Sequence, residues 1–214
     1  DNDQRTDLVC VNESGIVITP AGQNAPVTLP TGPGAISAVS LVDYDNDGWL
    51  DIVTVGDQVR AWRNRWTAGF VETTASLGLD KAGAAAALRA VDFDNDGDLD
   101  FLLTRPDQSL ALWRNDGGNS NQLRKVRLVG NRSNASGVGV KVEVSTAGLR
   151  LARRVLELPV EIGVGTYTQL DSLNARWFTM NLNTVDVNVA HRHPIRPDEL
   201  TLSDTYSPYP YAWD

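Results

Sequence analysis

The stretch Asp43-Tyr44-Asp45-Asn46-Asp47-Gly48-Trp49-Leu50-Asp51 sets four carboxylates within nine residues, and Asp92-Phe93-Asp94-Asn95-Asp96-Gly97-Asp98-Leu99-Asp100 repeats the pattern with five. At ~4 Å each like-charged pair repels by about 4 kcal/mol near a protein surface, so such crowding demands a neutralising cation. An all-oxygen donor set suits Ca2+, which takes ~6–8 oxygens at ~2.3–2.6 Å in tolerant geometry. The spacing predicts that Asp43, Asp45 and Asp47, and likewise Asp92, Asp94 and Asp96, turn inward from loop positions 1, 3 and 5. The carbonyl of Trp49 or Asp98 then supplies position 7, and Asp51 or Asp100 closes the shell. Gly48 and Gly97 stand where the backbone must turn sharply, which predicts positive φ. The competing reading is a solvated acidic turn, since Asp, Asn and Gly are ordinary turn residues. Two copies with Asp, Gly and Leu in the same places favour ligation. An EF-hand is excluded: its loop needs a bidentate Glu at position 12, and Thr54 and Leu103 stand there.

The chain opens on part of a third copy. Asp1-Asn2-Asp3-Gln4-Arg5-Thr6-Asp7-Leu8-Val9 aligns with Asp45 through Val53, with Gln4 in place of the glycine. Asp1, Asp3, the Arg5 carbonyl and Asp7 are therefore further candidate ligands. The copies recur 44 residues apart (Asp1 to Asp45) and then 49 (Asp43 to Asp92). That period suggests propeller blades or another repeat array. Each unit reads as an apolar strand (35–42; 84–91), the acidic loop, a second strand, then a turn and a third strand. The third strands end in Ala61-Trp62-Arg63-Asn64 and Leu112-Trp113-Arg114-Asn115, with the two tryptophans expected to pack between blades. Residues 69–79 supply an outer strand and the crossing to the next blade.

Asn115 to Asn121 form a polar linker, beyond which apolar residues alternate with polar ones as in strands. Val138, Val140, Val142 and Val144 alternate with Gly139, Lys141, Glu143 and Ser145, and similar alternation recurs at 149–158, 173–177 and 185–189. The expected architecture is all-β: about two and a half propeller-type blades over 1–117 (a partial repeat 1–34, then 35–83 and 84–117). An antiparallel sandwich or barrel-like domain over 118–190 and an extended Pro/Tyr-rich tail over 191–214 follow.

The acidic loops resemble FG-GAP/VCBS-type propeller repeats, and Phe70-Val71-Glu72-Thr73-Thr74 before Gly78-Leu79 resembles the linker of the cartilage acidic protein group. Leu123-Arg124-Lys125-Val126-Arg127-Leu128-Val129-Gly130, with Ser133-Asn134 and Gly137-Val138-Gly139, is similar to the opening of the ASPIC/UnbV domain. Ile162-Gly163-Val164-Gly165 and Asp171-Ser172-Leu173-Asn174-Ala175-Arg176-Trp177 resemble its later motifs. The segment between Arg154 and Glu161 departs from it, lacking the expected glycine- and serine-rich stretch. The resemblance implies secreted, calcium-loaded adhesion or matrix proteins without established catalytic residues. It also implies a propeller of about seven blades, within the usual ~4–8. Two and a half blades leave sheet edges open, which soluble proteins avoid. The chain is thus expected to be a fragment, or to have its edges covered by the C-terminal domain or by another copy.

Net charge is −8, and 12 of the 27 acidic residues fall in the three loops. That balance argues against nucleic acid or an anionic membrane as partner, and no apolar run approaches the ~20 residues of a membrane span. No signal peptide is visible, but the chain starts at Asp1 without Met. Cys10 is alone, and its strand-like setting predicts a buried apolar role. His191 and His193, at strand spacing, read as part of the tail rather than a metal site, and Arg150, Arg153 and Arg154 as a solvated strand face. Asn12, Asn131 and Asn134 begin triplets of glycosylation-acceptor form. No nucleophile or phosphate-cradling motif appears. The leading functional reading is a non-enzymatic extracellular or cell-surface protein (periplasmic if bacterial) in which Ca2+ braces the blade loops. Its partner is a protein or glycan of the cell surface or matrix, or another copy joined through open blade edges or the tail. A carbohydrate-binding module or accessory part of a polysaccharide-degrading enzyme, with Trp49, Trp66 or Trp177 lining a groove, is the first alternative. A subunit of a surface filament is the second.

Overall fold

The computed structural model describes residues 2, 5–22, 25–117, 121–129, 137–177, 182–185 and 201–203. Asp1, Asp3, Asn131, Asn134, His191, His193 and most of the Pro/Tyr-rich tail lie outside these residues. The chain divides into two compact units, one of residues 3–45 and 49–119, the other of residues 120–214 together with the loop tip 46–48. Among the described residues there is no α-helix, only short 3-10 turns at Trp66–Ala68 and Leu79–Lys81 between strands.

Three sheets build the first unit. β1 (Leu8–Asn12), β2 (Gly15–Thr19) and β3 (Val27–Leu29) form a three-stranded sheet in that order. A four-stranded meander follows, of β4 (Ile36–Val42), β5 (Asp51–Gly56), β6 (Arg60–Asn64) and β7 (Phe70–Glu72). β8 (Ala87–Val91), β9 (Asp100–Thr104) and β10 (Leu110–Trp113) make the third sheet. All neighbours are antiparallel, and the first strands β1, β4 and β8 lie side by side, as the inner strands of successive blades do. The sheets do not close into a barrel, and the architecture is that of a partial propeller.

Two apolar clusters weld the sheets. Ile16, Ile18, Leu29, Ile52 and Trp62 join the first to the second, and Val53, Val55, Ala61, Leu79, Leu99, Phe101 and Leu103 join the second to the third. β5 is buried along its whole length because both of its faces meet a neighbouring sheet, which is why it reads as an unbroken Ile-Val-Thr-Val run. Trp62 packs between sheets as expected, 3% exposed. Trp113 packs against the second cluster and donates its indole N–H to the Leu77 carbonyl at 3.2 Å.

The second unit holds β11 (Leu123–Val129), β12 (Lys141–Ser145), β13 (Arg150–Arg154), β14 (Val160–Gly163), β15 (Ser172–Arg176), β16 (Leu182–Val185) and β17 (Thr201–Ser203). Their sheet orders are β13-β12-β15-β16 and β14-β11-β17. Val140, Val142 and Val144 are buried, and Lys141, Glu143 and Ser145 between them stay partly exposed, as the alternation predicts, whereas Val138, ahead of β12, is 44% exposed because the strand begins only at Lys141. One pairing departs from the antiparallel expectation: β17, from within the tail stretch, runs parallel to the end of β11.

Two expectations are corrected. Cys10 is exposed, because β1 turns only Val9 towards the core and leaves the opposite face to solvent. Trp177 is 2% exposed and so cannot line an open groove. It continues the period-2 inward face of Leu173 and Ala175, both fully buried.

Candidate metal centre

Each complete acidic loop joins the first strand of a sheet to the second: β4 to β5, and β8 to β9. Left-handed backbone tightens the turn at two points per loop, Asn46 (φ 58°) with Gly48 (φ 91°), and Asn95 (φ 60°) with Gly97 (φ 98°). The glycines conform to expectation. The asparagines were not anticipated, although Asn tolerates this region better than other non-glycine residues.

The closing aspartates are the anchors. Asp51, fully buried, accepts the Tyr44 N–H at 3.2 Å on Oδ2 and the Asn64 N–H at 2.8 Å on Oδ1. Asp100, equally buried, accepts the Phe93 N–H at 2.9 Å and the Asn115 N–H at 2.7 Å in the same way. Asp7 keeps part of this arrangement, accepting the Ala21 N–H at 2.8 Å. A carboxylate held by backbone N–H groups is fixed in orientation.

Around these anchors Asp43, Asp45 and Asp51 bring oxygens to within 4.8 Å of one another, and Asp92, Asp94 and Asp100 do the same. Of the other described candidates, Asp47 and Asp96 included, none is in these triads. Asp96 Oδ1 instead accepts the Asp98 N–H at 2.9 Å in a local turn. Trp49 stacks its ring on Trp66, centroids 5.5 Å apart and planes 16° off parallel. Arg5 is exposed beside Gly22, and Asp1 and Asp3 are outside the described residues.

The residues that sequence reasoning missed are the Arg-Asn pair ending the third strand of each repeat. Asn64 donates from Nδ2 to the Leu50 carbonyl at 3.2 Å and accepts the Trp66 N–H at 3.0 Å. Asn115 donates to the Leu99 carbonyl at 3.3 Å and accepts the Gly117 N–H at 3.1 Å. Arg63 Nη2 lies 2.5 Å from Asp45 Oδ2, and Arg114 Nη1 lies 3.8 Å from Asp94 Oδ2. The signal was present in the sequence, as the twice-written Trp-Arg-Asn, but nothing local to it shows which loop it serves.

The field at the loops is negative. The Tyr44 hydroxyl, which donates to Thr73 Oγ1 at 3.1 Å, is pushed up to about 12, first by burial and then by Asp51 and Asp45. The Asp96 carboxyl is raised by its surroundings and by Asp94, Asp92 and Asp100. A donor set of three convergent carboxylates, with a guanidinium drawn to one of them, fits a hard divalent cation such as Ca2+. Asp43, Asp45 and Asp51 would hold one ion and Asp92, Asp94 and Asp100 the other.

A search of the curated proteins finds no match. The family model for the FG-GAP-like repeat matches residues 1–54 and again residues 43–103. Each match runs from one acidic loop into the strand after the next, so the loop is the seam at which the matches overlap. The first half of this chain carries FG-GAP-like repeats, with both carboxylate triads inside them.

Proposed function

We propose that this chain is a non-enzymatic, extracellular calcium-binding repeat protein acting in adhesion or assembly, in which each ion braces the junction of two blade strands. FG-GAP-like repeats are typical of extracellular proteins and generally non-enzymatic, and no helix among the described residues is long and apolar enough to cross a membrane. The observation that carries the reading is the twofold convergence of three carboxylate oxygens within 4.8 Å at equivalent strand junctions. The motif order in 123–177 supports an ASPIC/UnbV-like second unit, and a protein or glycan of the matrix or cell surface as partner. At a free ion concentration ~100 times its Kd, each site adds about 2.7 kcal/mol to folding stability. Thermal melts of metal-stripped protein, with and without added Ca2+, test this. The expected result is a rise of several degrees that chelator reverses, whereas superimposable curves would defeat the proposal.

One observation favours a glycan as the partner. Trp66 is 64% exposed and held at a left-handed φ of 51°, a strained geometry for a bulky residue, where it presents a flat face backed by Trp49. A glycan array probed with the native chain and with Trp66→Ala tests that reading, and equal or absent signals would count against it.

A further inference from the structure

The face that the second sheet turns to the third has an uncovered counterpart. Val53, Val55, Val59 and Ala61 pack in the cluster between those sheets, and none is more than 1% exposed. Ile52 pairs with Trp62, and Phe101 pairs with Trp113 in the same way. In that register the four residues correspond to Leu102, Thr104, Leu110 and Leu112 of the third sheet. There the face is open: Leu110 is 65% and Leu112 40% exposed, and Leu102 and Thr104 are only partly covered. The loops differ likewise. Tyr44 is buried with its ring edge-on to Phe101, whereas Phe93, at the same loop position, is 64% exposed.

The first sheet leaves the opposite face uncovered. Asp7 corresponds to Asp51, so Leu8 and Cys10 on β1 stand where Ile52 and Thr54 stand on β5. Ile52 packs against the first sheet and, like Thr54, is 1% exposed, whereas Leu8 is 62% exposed and Cys10 faces solvent too. One chain therefore carries both halves of the contact that joins successive sheets, and both halves are open.

We propose that these faces meet between two copies of this chain, the open face of the first sheet of one copy packing on the open face of the third sheet of the next. The repeat supplies the pattern. Leu8 and Cys10 seat on the third sheet as Phe101 and Leu103, their equivalents, seat on the second. Apolar side chains gathered on an exposed face mark an interaction surface. Because the two faces differ, the contact is heterologous, and it propagates from copy to copy into a ring or an open chain.

Sedimentation velocity of the full chain, in reducing buffer so that Cys10 forms no disulfide, tests this. The parent should show masses above that of one chain that grow with concentration. Leu8→Glu and Leu110→Glu, both at exposed positions, should keep the circular dichroism of the parent and abolish the growth, since each buries an unpaired charge in the contact. An equimolar mixture of the two variants should regain a one-to-one pair and grow no further, because each supplies the face that the other has lost. A maleimide on Cys10 reads the same contact without a substitution and should also stop the growth. Growth that survives Leu8→Glu, or a mixture that gains nothing, overturns the head-to-tail contact. A parent that stays monomeric at every concentration overturns it as well and leaves the calcium reading standing, since the faces need no metal.

Discussion

At the level of single residues, the asparagine that ends each third strand clamps the acidic loop alongside the closing aspartate. Asn64→Ala leaves the Leu50 carbonyl and the Trp66 N–H without their side-chain partner, and Asn115→Ala strips three backbone groups, because its amide also donates to the Tyr44 carbonyl at 3.0 Å. With roughly 0.5–1.5 kcal/mol per hydrogen bond, urea unfolding should show both variants destabilised and Asn115→Ala the more so. Equal losses would mean that the Tyr44 contact carries no energy. Tyr44 itself gives a pH test. Its folded-state pKa of about 12 stands above the unfolded value of about 10, so folding favours the protonated hydroxyl. That contribution is complete below pH ~10 and is lost as pH rises through about 12. Tyr44→Phe should therefore flatten this part of the stability–pH curve, as measured by chemical denaturation across the window.

Among the elements, energy lies between sheets. Leu103, 1% exposed, sits in the cluster joining the second and third sheets, and its change to alanine should cost about 2–5 kcal/mol by denaturant unfolding. Leu110, 65% exposed on β10, should change stability by less than about 0.5 kcal/mol when treated alike. Strands of this kind were legible in the sequence because their signals are local. The apolar runs into and out of each acidic loop gave β4, β5, β8 and β9 to within a few residues. The valine alternation gave β12, and the glycines gave the positive-φ turns. What stayed hidden depends on partners distant in the chain. Nothing in Trp-Arg-Asn shows that its asparagine grips an aspartate 13 or 15 residues earlier. Cys10 and Trp177 went astray for a related reason. A strand pattern fixes which residues share a face but not which face meets the core, and at Cys10 the core lay on the other side.

Over the whole molecule, charge decides the response to salt. With a net charge of −8 and carboxylates gathered in triads, the metal-free chain resists its own compaction. Raising ionic strength from about 0.01 M to about 1 M shortens the screening length from roughly 30 to 3 Å. The melting temperature of metal-stripped protein should therefore climb with sodium chloride, and climb less once calcium is added. A metal-free protein whose melting point falls with salt would show that its ion pairs outweigh its repulsions. The amide of Asn115 has a last bearing on how such a molecule comes apart. By holding the backbone of the preceding repeat, it makes the third sheet a fastener for the second. A chain trimmed at residue 83 would lose more than a third sheet: its remaining acidic turn would come undone at lower temperature, and the smallest cooperative piece would be a pair of blades.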